Sequence, residues 1–332
     1  MIQEKQIRAL GLCSGGLDSI LSALILRDQG IYVEWISFET HFFSYEKANK
    51  AAQKAKIPLT IKNITSEYIK MLKNPRAGYG KFMNPCMDCH ALMFKLAGQA
   101  MKEMGFDFLF SGEVLGQRPM SQTKPSLRYV EKHSGFEGLI VRPLSAKKLG
   151  KTIPEKQGWI NREMLLEISG RSRKNQISLA EKYNITGFPA PAGGCLLTDK
   201  NFSIRLKDLF DHQDFYSEDD LHLLKYGRHI RLNKEAKLIV GRNEKDNENI
   251  IKHYYPEKGI LINLKDIPGP VALLPCLTYM DKDIILIASS ICAGYAKVPD
   301  PEHVAIIVTS PDREEIITVP AIKAEEIRNF MI

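Results

Sequence analysis

Two groups of residues in this 332-residue sequence have types and spacings suited to chemistry. The first is Ser14-Gly15-Gly16-Leu17-Asp18-Ser19. It joins a short apolar run, Ile7 to Cys13, to a stretch in which Leu17, Ile20, Leu21, Leu24 and Ile25 fall on one helical face. Adjacent glycines let the backbone turn tightly and approach a ligand without side-chain obstruction. A helix opening at that point adds unpaired N–H groups and the positive end of its dipole, which suits a phosphate. Ser14 and Ser19 add hydroxyl donors, whereas Asp18 would repel phosphate and is expected to bind Mg2+ or to cap the helix. A simple Ser/Gly turn is the structural alternative. The loop is not a Walker A loop, since the Gly-Lys-Ser/Thr ending is missing, and it is not a GxGxxG dinucleotide turn.

The second group is built on sulfur. Asn84-Pro85-Cys86-Met87-Asp88-Cys89-His90 sets a CxxC at the start of a helical segment, and Cys195 follows far away in the glycine-loosened Ala192 to Leu196. Three thiolates can hold a 4Fe-4S cluster and leave one iron open to an exogenous ligand such as hydrosulfide. Cys89 and Cys195 can equally act as a persulfide carrier and its resolving partner. Zinc would want a fourth ligand, and His90, directly beside Cys89, is awkwardly placed to share a tetrahedron. Unrelated buried cysteines are the remaining alternative. The apolar or small-residue surroundings of Cys13, Cys276 and Cys292 assign those three to the core. Six cysteines in a chain of this length do not form a disulfide framework, and closely spaced ones point to a reducing compartment, so the cytoplasm is the expected location.

Net charge is +7, and its placement says more than its size. Between Val141 and Lys174 nine Lys or Arg stand against three Glu. Arg142, Lys147, Lys148, Lys151, Arg171, Arg173 and Lys174 are candidates for a surface that tracks a phosphate backbone, with a merely solvated basic face as the alternative. No apolar run reaches the ~18 residues of a membrane span and no secretory signal is present, so no membrane partner is expected. With 44% hydrophobic and 26% charged residues, the chain can bury a sizeable core.

Elements able to position these residues are legible along the first half. Strands are expected at Ile7 to Cys13, Tyr32 to Phe38, Leu59 to Ile64 and Phe106 to Phe110, the last ending in Ser111-Gly112. Helices are expected from Leu17, at Tyr45 to Lys56 and at Cys89 to Met104. This alternation predicts an α/β fold with a doubly wound parallel sheet, whose ligand turns lie at the carboxyl ends of the strands. Gly187 to Gly194 reads as a loop near a boundary. Beyond about residue 215 short β-like runs take over, at Lys237 to Val240, Ile260 to Asn263, Val271 to Leu274, Ile284 to Ala288 and Val304 to Val308. They predict a smaller α+β domain, giving expected domains of 1–214 and 215–332.

The intact SGGxDS at Ser14 to Ser19 resembles the signature of the PP-loop ATP pyrophosphatases. That resemblance implies an adenine nucleotide alpha hydrolase-like domain binding ATP and Mg2+ through Ser14, Gly15, Gly16, Asp18 and Ser19. It also implies cleavage between the α and β phosphates, with AMP passed to a carbonyl-type oxygen. Asn84 to Cys89, followed by His-Ala-Leu-Met-Phe-Lys, is similar to the tRNA thiouridylases. Ser111 to Gln117, Ser121-Gln122-Thr123 and Val141 to Leu144 are similar to stretches of 4-thiouridine synthases. This second likeness implies tRNA as partner and a nucleotide and base pocket lined by Gly112, Glu113, Gln117 and Gln122. It further implies Cys89, Cys195 and Asp18 as catalytic residues and Cys86, Cys89 and Cys195 as cluster ligands. The N-terminal tRNA-binding region and rhodanese-like extension of those enzymes find no counterpart, which leaves the three cysteines to take sulfur from sulfide or a persulfide carrier.

Val240 to Asn247 resembles the VGRNxxxN signature of the NFACT-R domain, and Ala288 to Ala296 a later stretch of it. RNA binding is implied, with Arg242 forking onto a phosphate and Lys147, Lys148, Arg171 and Arg173 contributing from the first domain. The expected function is that of an ATP-dependent tRNA sulfurtransferase making 4-thiouridine or 2-thiouridine. The alternatives are a ligase- or amidotransferase-type enzyme adenylating a small metabolite and a non-catalytic RNA-binding protein.

Overall fold

A computed structural model describes residues 5–188, 195–275 and 280–332 of the chain. The backbone divides into Met1–Thr198 and Asp199–Ile332. The division thus falls ahead of the boundary expected after residue 214. The physical reason is the helix Lys200–His212, whose Asp208 pairs with Arg231 at 2.5 Å and with Lys237 at 3.0 Å in the second unit. Cys276 and the glycines of 189–194 lie outside the described residues.

The first unit runs β1 (Arg8–Leu12), α1 (Leu17–Arg27), β2 (Tyr32–Glu39), α2 (Glu46–Ala55), β3 (Leu59–Asn63), α3 (Thr65–Lys73) and α4 (Cys86–Glu103). It continues through β4 (Phe108–Ser111), α5 (Lys124–Ser134), β5 (Ile140–Val141), α6 (Ile153–Lys156) and α7 (Lys174–Lys182). The strands form one parallel sheet in the order β3-β2-β1-β4-β5, the doubly wound arrangement expected. A strand covered by helices on both faces must be apolar at every position. The sheet centre obeys this: Ala9, Leu10, Phe108, Leu109 and Phe110 are at most 1% exposed. Strand order reverses between β1 and β4, so a crevice opens beyond their carboxyl ends, after Leu12 and after Ser111. Helix α4 starts at Cys86 rather than Cys89, which places both CxxC sulfurs in its first turn.

The second unit comprises α8 (Lys200–His212), α9 (Glu218–Leu223), β6 (Arg228–Arg231), β7 (Lys237–Val240), α10 (Glu244–Lys252) and β8 (Gly259–Leu264). It ends with β9 (Ala272–Pro275), α11 (Lys282–Gly294), β10 (Val304–Thr309), β11 (Glu314–Val319) and α12 (Ala324–Ile327). Its strands make an antiparallel sheet in the order β11-β10-β8-β9-β7-β6. The strand expected at Ile284 to Ala288 is corrected, because these residues lie inside α11. Asp281 caps that helix by accepting from the Asp283 N–H at 3.1 Å. Ala288, Ile291 and Cys292, at helical spacing, are buried on the sheet side. Among the described residues no helix is long and apolar enough to cross a membrane.

Strand β7 carries a buried cation. Lys237 is 5% exposed. Burial pushes its ammonium down from 10.5 to about 8, although Asp208 opposes the change. Between about pH 8 and 10.5 the unfolded chain therefore holds a proton that the folded chain has released, so stability rises with pH across that window. Lys237→Met is expected to flatten this rise, measured as the urea midpoint by far-ultraviolet circular dichroism.

Candidate functional site

The loop after β1 is shaped by two places where backbones touch. Cys13 N–H still donates to the Ile36 carbonyl at 3.0 Å, extending the sheet by one residue. The chain then turns at Gly15 with φ +74°. A Cβ on Gly15 would stand 2.2 Å from the carbonyl carbon of Lys47, so only a hydrogen fits. Gly112, after β4, is equally confined, since its Cβ would stand 2.5 Å from the Asp18 carbonyl carbon and from the Ser19 nitrogen. Gly16 is the N-cap of α1, and Ser14 is exposed at the rim. The Ser19 hydroxyl donates to the Gly16 carbonyl at 2.7 Å.

Asp18 does not cap α1. Its Oδ2 accepts from Gln117 Nε2 at 2.7 Å, while Oδ1 is buried without a partner. A buried carboxylate oxygen in that condition is a fitting donor for a hard cation such as Mg2+. Gln117 is held in turn, its Oε1 accepting from Gln176 Nε2 at 2.9 Å.

Glu113, expected to face a nucleotide or base, instead faces inward and is 6% exposed. One oxygen lies 2.8 Å from His90 Nδ1, and the other accepts from Arg142 Nε at 2.8 Å and from Ser111 Oγ at 3.3 Å. Arg142, 3% exposed, also donates to Glu131. It is therefore not part of a basic surface, because a guanidinium carried by the residue after β5 is buried and must find carboxylates there. Burial alone would raise the Glu113 carboxyl, but Arg142 and His90 outweigh it and hold the group down at about 2.

Helix α4 and the segment beginning at Cys195 bring the thiols together. Cys86 accepts from Asn84 Nδ2 at 3.2 Å. Asp88 is fixed by the Ala77 N–H at 2.8 Å and the Tyr129 hydroxyl at 2.7 Å. Leu196 N–H donates to the Phe42 carbonyl at 3.3 Å, anchoring Cys195 near the end of β2. Cys89 lies within reach of the charges of both Cys195 and Cys86, and it is hydrogen-bonded by the buried Tyr68. Desolvation pushes the Cys89 thiol up to about 12 and the Cys195 thiol up to about 11. All three are free thiols. Among the described residues no three His, Cys, Asp or Glu are drawn tightly enough to enclose a metal ion. Three sulfurs are soft donors, the kind that a cluster or a persulfide needs. Cys13 and Cys292 are buried, as expected of core residues.

The basic residues are placed unevenly. Lys147 donates to the Glu163 carbonyl at 2.9 Å, and Lys148 lies 3.8 Å from the Glu167 carboxylate. Arg171 and Lys174 are exposed at the start of α7, and Arg173 is half-buried with its Nε unpartnered. In the second unit Arg242 is exposed and forks onto Asp246 at 2.6 and 3.2 Å, so one edge of its guanidinium is already paired within the protein. The neighbouring signature residues are architectural. Asn243 caps α10, and Asn247 accepts from Val271 N–H at 3.0 Å and donates to the Gly269 carbonyl at 3.2 Å.

Two residues of this region carry no motif. Tyr68 is one of the buried residues of amphipathic α3, and Gln176 shares the buried face of α7 with Ala180. A polar side chain at a core position is the trace that Gln176 leaves in the sequence.

Residues 4–152 match the family model of the thiamine biosynthesis protein (ThiI), and residues 227–331 match that of the NFACT protein RNA binding domain. The first unit carries a ThiI-like domain. Solved structures similar to the chain include a predicted subunit of tRNA methyltransferase from Methanocaldococcus jannaschii, at 15% identity and TM-score 0.34, covering 53% of this chain and 76% of that one. Another is the C-terminal part of the fibronectin/fibrinogen-binding protein from Streptococcus suis, at 11% identity and TM-score 0.29, covering 74% and 90%. A third is a 4-thiouridine synthetase in complex with RNA and ATP, at 19% identity and TM-score 0.33, covering 54% and 51%. Likenesses this distant carry no argument about function. No curated protein matches the sequence.

The buried ion pair of the ThiI-like domain makes a stability prediction. Arg142→Met would leave the Glu113 carboxylate buried with His90 as its remaining side-chain ion-pair partner. It is expected to cost about 3–5 kcal/mol near neutral pH. Because Glu113 is held below its ordinary 4.5, its contribution is full above that pH and is lost as pH falls toward about 2. The wild-type advantage over Arg142→Met should therefore shrink in acid, as measured by urea titrations at successive pH values.

Proposed function

We propose that the chain is an ATP-dependent tRNA sulfurtransferase, which adenylates a uridine carbonyl oxygen and replaces it with sulfur to give 4-thiouridine or 2-thiouridine. One observation supports this above the others. Consecutive residues touch both candidate centres: Gly112 lies against the Asp18–Ser19 backbone, and Glu113 bonds His90 beside Cys89. The phosphate loop and the thiols thus share one edge of the sheet. Matches to a ThiI model and an RNA-binding model in one chain agree with tRNA as the partner.

In this reading the N–H groups opening α1, with Ser14 and Ser19, hold the ATP phosphates, and Asp18 Oδ1 holds Mg2+. The uridine oxygen attacks the α phosphate and pyrophosphate leaves, which turns a poor leaving group into AMP. Orientation and charge neutralisation supply most of the acceleration. Sulfide then attacks the activated carbon, AMP departs, and the C=S bond forms as the sulfur loses its proton. A 4Fe-4S cluster on Cys86, Cys89 and Cys195 would supply an iron site for that sulfide. Without iron, a persulfide carrier passes its outer sulfur to Cys89 and is released as its thiol. The Cys89 persulfide attacks the activated carbon as AMP leaves, and Cys195 frees the thiolated product by forming a disulfide with Cys89 that an external thiol reduces. Thiols kept in this state suit the cytoplasm. Arg171 and Arg173, with Lys147 and Lys148, guide the tRNA backbone.

Anaerobically purified protein given ATP, tRNA and, in parallel, sulfide or a persulfide donor is expected to release pyrophosphate and form thiolated tRNA with one of the two. A cluster would appear as about four irons per chain. Cys89→Ala and Cys195→Ala should abolish thiolation but keep tRNA-dependent pyrophosphate release. Release without thiolation by the wild type would sink the sulfur step. Replacing Arg171 and Arg173 together by Ala is expected to weaken tRNA binding uniformly across sequences and lower the salt slope by about two, read by fluorescence anisotropy.

A further inference from the structure

Helix α7 lies along α1, and the two are tied at both ends. At the far end the Tyr183 hydroxyl donates to Asp28 Oδ2 at 2.6 Å. At the near end Gln176, 0% exposed, donates to Gln117 at 2.9 Å, which donates to Asp18 at 2.7 Å. Residue 18 opens α1 and residue 28 closes it, while residues 176 and 183 stand in the same order on α7. The helices therefore run in the same direction, with their N-termini at one end. The exposed Arg171 and Lys174 and the half-buried Arg173 consequently flank the phosphate loop.

The amide chain has a forced polarity. An ionised Asp18 only accepts, so Gln117 must present its NH2 to it and its oxygen to Gln176. Gln176 must then present its NH2 as well, which leaves its own oxygen buried and unpartnered. The segment before α7 is also fastened to the loop after β4. Gly170 N–H donates to the Leu115 carbonyl at 2.7 Å, and the Ser145 hydroxyl accepts from Leu115 N–H at 2.9 Å and donates to the Ile168 carbonyl at 2.7 Å.

We propose that Gln176 is a positioning residue through which nucleotide in the Ser14–Ser19 loop and RNA on the Arg171–Lys174 segment strengthen each other's binding. This rests on the function proposed above. A magnesium nucleotide that immobilises Asp18 also immobilises Gln117 and Gln176, and with them the first turn of α7. RNA then meets a basic segment already ordered, so the ordering cost is met once for two ligands. Linkage makes the effect reciprocal. The physical carrier is a continuous hydrogen-bond chain rather than proximity alone.

The test uses the full chain, a fluorescein-labelled unmodified tRNA and α,β-methylene-ATP with Mg2+, which binds without cleavage at the α–β bond. Saturating nucleotide is expected to tighten wild-type tRNA binding about five- to tenfold, at the low end of usual couplings, and tRNA should tighten nucleotide binding by the same factor. Gln176→Leu should leave tRNA affinity without nucleotide within about twofold while the coupling factor falls to about one. Gln176→Asn keeps an amide but is too short to reach, and should lose the coupling too, which covers the case where Leu disturbs folding. Gln117→Leu combined with Gln176→Leu should lose no more coupling than either alone. Independent binding of the two ligands by the wild type, or full coupling in both Gln176 variants, would overturn the inference alone. A wild type that binds no nucleotide would overturn the functional reading, and the inference with it.

Discussion

The contact between Glu113 and Arg142 is a charge requirement around which the edge of the first sheet is organised. Two ions buried to this degree are tolerable when they are paired and hydrogen-bonded, as here, although Arg142 Nη2 is left without a partner. The partners come from four separate elements. Arg142 follows β5, Glu113 follows β4, Glu131 lies on α5 and His90 lies on α4. Satisfying the charges thus fixes where the helix carrying Cys86 and Cys89 stands relative to the strand ends. It also fixes Gly112, one residue upstream, whose missing side chain lets the β4 loop press onto the first turn of α1. Electrostatics on one residue and sterics on its neighbour bring the Ser14–Ser19 loop and the helix carrying Cys86 and Cys89 toward one another.

Cys89 and Cys195 sit in a setting that favours their protonated form. Desolvation is the largest influence on both Cys89 and Cys195, and the negative charges of neighbouring sulfurs act in the same direction. Tyr68 is the counterweight, since its hydroxyl hydrogen bond stabilises the Cys89 thiolate. Such a site is quiet until something soft and positively charged, or electrophilic sulfur, arrives to share the electron density. A nucleophile held in reserve is compatible with a reaction in which the activated carbon must form first.

Much of the first unit was legible because its signals are local. Strand-then-helix periodicity located β1, α1, β2, α2 and β3 to within a residue or two, and the SGGxDS loop fell where a β1–α1 turn had to be. The failures share a cause. Glu113 and Arg142 are charged, and charge reads as surface unless the partner, 29 residues away, is known. Residues 284–288 read as a strand because their length and apolarity are equally those of a buried helix segment, and only the sheet beneath α11 decides between them. Gln176 leaves only a polar residue at a core position for a related reason, since its meaning comes from Gln117, 59 residues earlier.

The two signatures differ in what they leave for a ligand. In VGRNxxxN the side chains are consumed by the fold: Arg242 forks onto Asp246, Asn243 caps α10, and Asn247 occupies the space beside Gly241, where a Cβ would approach within 1.9 Å. That signature specifies a turn between β7 and α10, with Arg242 an exposed side chain at its start. In SGGxDS the glycines are consumed by packing, Gly15 against α2, while one oxygen of Asp18 is buried without a partner. Buried or terminal polar groups without partners are costly unless something completes them. A cation held with a phosphate would complete the Asp18 oxygen, which ties the proposed nucleotide site to a specific buried group.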